Sequence, residues 1–192
     1  MKKHISSIIF AIFTVAFLNA QENITLNSSK SELKWSCDYT FYFGGHNGTI
    51  SFKEGHLIKT KDVLTGGSFI IDMHSIVNLD IEKEEGKKDL VEHLKNEDFF
   101  DVKLYPTAKL VITDVFYHDS THLEIKADLT IKGKTNPIKF QAEVNYEKLQ
   151  MTTRFKINRT LWGVIYSSSL MDNSISDGIG FEADLRFTIN SK

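Results

Sequence analysis

Apolar and polar residues alternate along most of this chain. Over residues 33–43, Leu33, Trp35, Cys37, Tyr39, Phe41 and Phe43 fall on one parity, and Lys34, Ser36, Asp38 and Thr40 fall on the other. A period of two puts these sets on opposite faces of a strand. The pattern returns at 123–131, 138–146, 149–157 and 179–189, and weaker strands are predicted at 49–54, 56–63, 67–73 and 108–116. Glycine or polar turns separate many of them, as at 44–48 and at Lys132-Gly133-Lys134. One polar and one apolar face per strand is the mark of antiparallel sheet. About eight such strands, some of them long, suit either a sandwich or an up-and-down barrel. A barrel removes exposed edges and creates an interior, which eight strands either fill with side chains or leave open for one small ligand.

Ala108, Ala127, Ala142 and Ala183 lie on the apolar parity. Small inward residues either interlock with bulky partners such as Trp35, Phe140 and Phe181 or leave room. One stretch departs from strand logic. Residues 84–95 carry Leu90, Val91 and Leu94 at helical spacing among charges, which predicts a short amphipathic helix. The loop 96–101 follows, with Phe99 and Phe100 adjacent, one of them a candidate plug for a barrel end.

Composition fixes the setting. The chain has 192 residues, of which 41% are hydrophobic and 25% charged, a globular profile that argues against disorder. Residues 1–20 read as a secretory signal: Lys2 and Lys3 precede an apolar run that ends at Leu18, and Ala20 stands at the expected cleavage point. The apolar run is short for a membrane span, and no later segment approaches that length, so no integral membrane segment is expected after the signal is removed. A Sec-type bacterial leader implies a periplasmic or secreted protein. Residues 21–30 are expected as a flexible N-terminal tail, and 31–192 as a single domain. Lys2 and Lys3 leave with the leader, taking the net charge from −2 to −4. Neither sign dominates, so no nucleic-acid partner is implied. Cys37 is the only cysteine, which excludes an internal disulfide.

The search for chemistry returns little. His118 and His122 flank a predicted hairpin turn and make no recognised metal motif, so no metal ligand is assigned. Asp72-Met73-His74-Ser75 gathers triad-type residues, but catalytic triads depend on spatial arrangement and not on local sequence. Asp72 and His74 are the sole support for a hydrolase reading. No G-x-S-x-G and no phosphate-binding glycine loop occurs. Nothing requires an enzyme, and no catalytic residue and no cofactor is assigned.

The segment 90–102, containing Glu92-His93-Leu94 and Asp98-Phe99-Phe100-Asp101-Val102, is followed by Tyr105-Pro106-Thr107-Ala108. With Asp128-Leu129-Thr130-Ile131-Lys132-Gly133 and Ile157-Asn158-Arg159-Thr160-Leu161-Trp162-Gly163, it resembles the signature of the YceI-like family. The glycine turns at His46-Asn47-Gly48-Thr49 and Gly66-Gly67-Ser68-Phe69 fit too, as does Ile175-Ser176-Asp177, and the likeness spans about residues 30–188. The resemblance implies a lipocalin-like antiparallel barrel with a short helix near one end. It implies an isoprenoid, fatty-acid-like or other long-chain amphiphile held inside, for transport, storage or stress response. Many members continue the first strand into an Asp-x-x-His-Ser stretch. Here that region reads Ser36-Cys37-Asp38-Tyr39-Thr40, so no head-group role is carried over to it.

The lining expected for such a ligand is Trp35, Tyr39, Phe41, Leu110, Ile125, Leu129, Phe140, Val144, Phe155, Phe181, Leu185 and Phe187. Arg159 and Trp162 are expected near an opening, Arg159 either meeting an anionic head group or standing as an exposed loop cation. The rival reading is a partner-binding barrel with a filled core. Oligomeric state stays open, a dimer included.

Overall fold

The structure, a computed structural model, describes residues 21–40, 43–61, 63–165 and 175–189. The leader expected at 1–20 lies outside them. The strands are β1 (Gln21–Leu26), β2 (Glu32–Tyr39), β3 (Gly45–Thr60), β4 (Val63–Asn78), β5 (Thr107–Tyr117), β6 (His122–Ile131), β7 (Lys134–Asn145), β8 (Gln150–Asn158) and β9 (Ile175–Ile189). One helix, α1 (Glu84–Lys95), interrupts them between β4 and β5. From β2 onward each strand pairs antiparallel with the next, and β9 returns to pair with β2. The result is the closed, eight-position up-and-down barrel that alternation and resemblance led us to expect.

β1 corrects one expectation. Residues 21–30 are not a loose tail. β1 pairs with the far half of β3, from Gln21↔Thr60 to Thr25↔His56, and with the end of β9 at Ile24↔Ile189. A 3-10 turn at Ser28–Lys30 joins it to β2, and the Asn27 side chain accepts from the Lys30 N–H at 3.2 Å. β1 and β2 thus share one position of the barrel, each covering half its height. Without β1 the lower parts of β3 and β9 would present unpaired edges. Its buried Leu26 supplies the inward face, while the polar residues that make the stretch look tail-like face outward or sit half-buried.

The stretches expected at 49–54 and 56–63 belong largely to one strand. β3 runs for 16 residues, passes through Gly55 without turning, and pairs along its length with the equally long β4. The glycines at 45–48, expected in a turn, already belong to it. Register shifts at Thr49/Ser51, Phe52/Glu54 and Ile58/Lys59 mark irregularities of the bulge kind, which bend a strand and raise its twist. That is how strands this long wrap a closed core.

All connections that follow β2, β4, β6 and β8 lie at one end, here the upper end, together with α1. The lower end carries the tight turns and is filled with side chains. Leu57, Leu64, Val144, Met151 and Phe187 are buried there around a void of about 30 Å³. One seam differs. β7 and β8 pair only from Asn145↔Gln150 to Ala142↔Thr153, so above that level their facing edges part. Pro137 lies in this stretch of β7; proline cannot donate to a ladder and keeps to edge positions in sheets.

Candidate functional site

The upper part of the barrel encloses a cavity of about 170 Å³. Its wall is apolar almost throughout. Phe140 and Phe155 stack with centroids 4.7 Å apart, and Phe155 meets Phe181 at 5.5 Å. These three rings face the cavity beside the parted β7–β8 seam. Opposite them, Phe52, Phe69, Ile71 and Met73 of β3 and β4 contribute further walls. The floor is the packed lower core.

The roof comes from α1 and the loop behind it. The helix forms where it was expected, and its apolar stripe sets Leu90, His93 and Leu94 over the barrel. Phe99 and Phe100 both line the cavity, with rings 5.0 Å apart and 71° inclined, Phe99 only 4% exposed. Two adjacent residues can face one space because 96–101 is a turn and not a strand. Asp101 takes φ +48°, its N–H donates to the Asn96 carbonyl at 2.7 Å, and Lys132 Nζ ties the Glu97 and Phe99 carbonyls to the β6–β7 turn at 2.7 and 2.9 Å.

Of the lining residues expected from sequence, Trp35, Tyr39, Leu110, Ile125, Leu129, Phe140, Phe155, Phe181 and Leu185 lie on the cavity wall. Val144 and Phe187 do not; they point inward but belong to the lower packing, because the same parity continues past the floor. Phe41 lies outside the described residues. Of the four inward alanines, Ala108 and Ala183 line the cavity, whereas Ala127 and Ala142 are packed beneath larger neighbours.

Arg159 and Trp162 are corrections. Both are buried, 5% and 1% exposed, and neither borders the cavity. They lie in a 3-10 turn, Arg159–Trp162, capped by the Asn158 side chain and folded against the barrel wall. Trp162 Nε1 donates to the Leu129 carbonyl at 2.8 Å. Arg159 donates from Nη1 to the Val164 carbonyl at 2.6 Å and from Nε to the Ser176 carbonyl at 3.2 Å. Its Nη2 stands 3.5 Å from Asp177, and its guanidinium carbon 5.9 Å from the Phe99 ring centre. A buried charge needs its donors satisfied, and here they bind the chain itself, not a head group.

Tyr39 and His46 border the cavity where β2 ends and β3 begins, with their polar atoms tied to one another and to Asp80. Tyr39 Oη and His46 Nε2 are 2.8 Å apart, and His46 Nδ1 is 2.8 Å from Asp80 Oδ2. Asp80 Oδ1 also accepts the Asn47 backbone N–H at 2.7 Å and the side chain of fully buried Asn78 at 2.6 Å. Burial pushes the Asp80 carboxyl up, but these hydrogen bonds outweigh it and hold the group below the usual carboxylate range. Burial, with Asp80 and Cys37 nearby, pushes the Tyr39 hydroxyl up. Burial also raises the Cys37 thiol, against the opposing charge of Arg159, so it stays protonated at neutral pH. Sequence reasoning placed Tyr39 on the wall but missed His46 and Asp80, which lie 34 residues apart and meet only through the β3–β4 register.

The triad-type residues serve the backbone. Asp72 accepts from the His74 backbone N–H at 2.9 Å, not from its ring. Ser75 Oγ donates to the Asp72 carbonyl at 2.6 Å and accepts from the Ser51 N–H at 2.7 Å. His122 Nδ1 lies 2.9 Å from Asp119 within the β5–β6 turn. Among the described residues, no group of three or more His, Cys, Asp or Glu could hold a metal ion. No helix among them is long and apolar enough to cross a membrane.

Comparison with known proteins agrees with this architecture. A UPF0312 protein of Vibrio cholerae is 32% identical over 121 residues, covering 56% of this chain and 63% of that protein, so the chain spans less than two-thirds of this relative. The crystal structure of BcnA from Burkholderia cenocepacia superposes with a TM-score of 0.68 at 18% identity, over 83% of this chain and 98% of that one. A polyisoprenoid binding domain from Saccharophagus degradans gives 0.60 at 12% identity, over 86% and 98%. At these identities the two structures speak for the fold. The model of the YceI-like domain matches residues 24–187, taking in each strand of the described residues in whole or in part, and the chain belongs to that family.

Proposed function

We propose that this protein is an exported carrier of one long-chain amphiphile, an isoprenoid or a comparable lipid, with its tail inside the barrel. The observation that carries this reading is the cavity of about 170 Å³, walled almost throughout by aromatic and aliphatic side chains. A filled barrel would have no use for Ala108 and Ala183 facing open space. Burial of a tail supplies the affinity, at about 0.8 kcal/mol per methylene, so few polar contacts are needed. The Saccharophagus structure bears the name polyisoprenoid binding domain, which supports an isoprenoid as the first ligand to try. The leader-like residues 1–20 motivate a periplasmic or secreted location. Transport, storage and stress response are the roles such a container suits.

Native mass spectrometry of protein purified without organic solvent tests the reading. A mass excess that solvent extraction removes, followed by rebinding of a long-chain isoprenoid or fatty-acid probe by the emptied protein, is the expected result. A protein that carries nothing and takes up no long-chain probe is a filled or partner-binding barrel instead.

A further inference from the structure

The parted seam between β7 and β8 has surroundings of its own. Above the level where the ladder stops, the stacked rings of Phe140 and Phe155 bridge the two strands. Phe155 lines the cavity and is also partly exposed, so a ring separates the cavity from the outside here. The 3-10 turn 159–162 crosses the top of the seam. It leaves the end of β8, and the Leu161 carbonyl accepts from Asn136 Nδ2 on β7 at 3.2 Å. Leu161 in this turn and Ile165 after it are 59% and 67% exposed. On the other side of the β6–β7 turn Leu104 is 65% exposed, and its neighbour Tyr105 lies against Gly133. Single exposed apolar residues are ordinary, but here three stand around one weak point in the wall of an apolar cavity.

The charges around the seam are of one sign. Its two edges, residues 134–141 and 154–158, hold Lys134, Lys139, Arg154 and Lys156 and no Asp or Glu. Lys139, Arg154 and Lys156 pair with Glu124, Glu182 and Asp38, which lie on β6, β9 and β2, and all three cations stay exposed. The opposite side of the upper end has the other sign, with Asp80, Glu82, Glu84 and Glu85 against Lys83. Lysine and proline on a strand edge discourage pairing with another chain, so the seam is poorly made for an extended peptide. Apolar tips among cations suit a bilayer, where the tips pass beneath the head groups and the cations meet lipid phosphates.

We propose that this corner of the barrel, with Leu104, Leu161 and Ile165 beside the cationic seam edges, docks on an anionic lipid bilayer, and that the seam passes a tail between membrane and cavity. The docking surface follows from exposure and charge alone. The passage rests on the container reading above and adds a route to it.

Flotation with vesicles tests the surface without any ligand. Wild type should bind vesicles of phosphatidylcholine mixed with phosphatidylglycerol, and bind phosphatidylcholine alone more weakly. Leu161→Gln combined with Ile165→Gln should lower affinity for the mixed vesicles by about tenfold or more, with the thermal midpoint unchanged because both side chains are exposed. Leu79→Gln, as exposed as Leu161 but on the acidic side, should change nothing. Lys139→Gln with Lys156→Gln should lower binding to mixed vesicles about fivefold per cation removed. Every variant carries the same residues 1–20, so the differences report this corner. Wild type that binds neither vesicle, or Leu79→Gln as damaging as the Leu161 and Ile165 pair, overturns the proposal. The passage is read by following a long-chain fluorescent probe from vesicles into the protein. The Leu161 and Ile165 variant should take it up about tenfold more slowly, yet bind the probe from water with wild-type affinity. Equal transfer rates overturn the passage. A protein that docks but takes up the probe from neither source overturns the container reading and the passage with it, and leaves the surface standing.

Discussion

At the level of single residues, parity told inside from outside but not wall from floor. Ala127 and Ala183 look alike in sequence, yet Ala127 is packed beneath neighbours while Ala183 borders open space. The two should therefore answer differently to enlargement. Ala183→Phe should lower uptake of a long-chain fluorescent probe at least tenfold with little loss of stability. Ala127→Phe should leave probe affinity nearly intact and cost about 1–3 kcal/mol in urea denaturation, the usual penalty for overpacking. The reverse pattern would put the void elsewhere. Arg159 reads as a surface cation because nothing local announces burial; only the fold-back of residues 159–164 against β9 encloses it. Arg159→Ala should cost about 1–3 kcal/mol by leaving the Val164 and Ser176 carbonyls without their donor. The Asp80 carboxyl gives a pH signature. Its folded value lies below its unfolded one, so its contribution is complete above about pH 4 and fades as pH falls through the lowered folded value. The stability gap between wild type and Asp80→Asn should shrink below pH 4 and stay flat above it.

Among the elements, those with an unbroken local signal are the ones that sequence placed well. α1 spans 84–95 as its apolar spacing indicated, and β6 covers nearly the stretch its alternation marked. β1 escaped notice because six residues with two inward positions carry too short a pattern, and its pairing with β3 and β9 is long-range. β3 reads as two strands because Gly55 looks like a stop, and its first residues read as a turn because of Gly45 and Gly48, whereas all three lie within the strand and Gly48 is there for clearance. A Cβ at Gly48 would sit 1.8 Å from the Val77 carbonyl oxygen and 2.8 Å from the Trp35 indole. The β6–β7 turn shows the opposite use. Lys132 and Gly133 take φ +49° and +71°, the two positive angles of a type I′ hairpin turn. The parted seam above Ala142↔Thr153 is an element-level property with a direct readout. In hydrogen exchange, the β8-facing amides of upper β7 should exchange much faster than amides of β6, which is paired on both sides. Equal protection would mean that the seam is zipped in solution.

For the molecule as a whole, one end of the barrel is solid and the other hollow, and this asymmetry follows from side-chain size more than from topology. Closure demands only alternation and register. The void arises because small and large inward residues sit at different heights: Leu57, Leu64, Met151 and Phe187 fill the lower end, while Ala108 and Ala183 leave space higher up. No one-dimensional pattern reports height, so the sequence supported a barrel but left its contents open, and the family resemblance carried the rest. A solid floor sets a finite depth. In a homologous series of straight-chain alcohols, affinity should rise about fourfold per added methylene, from about 0.8 kcal/mol each. It should stop rising once the chain reaches the Leu57–Phe187 floor and further carbons project from the mouth. The thermal midpoint should follow the same curve at fixed ligand concentration, because ligand bound only by the folded state stabilises it by RT ln(1 + [L]/Kd). Steady gains without a plateau would mean that the tail leaves the barrel through the β7–β8 seam. The shortest chain to reach the plateau measures the depth of the container in carbons.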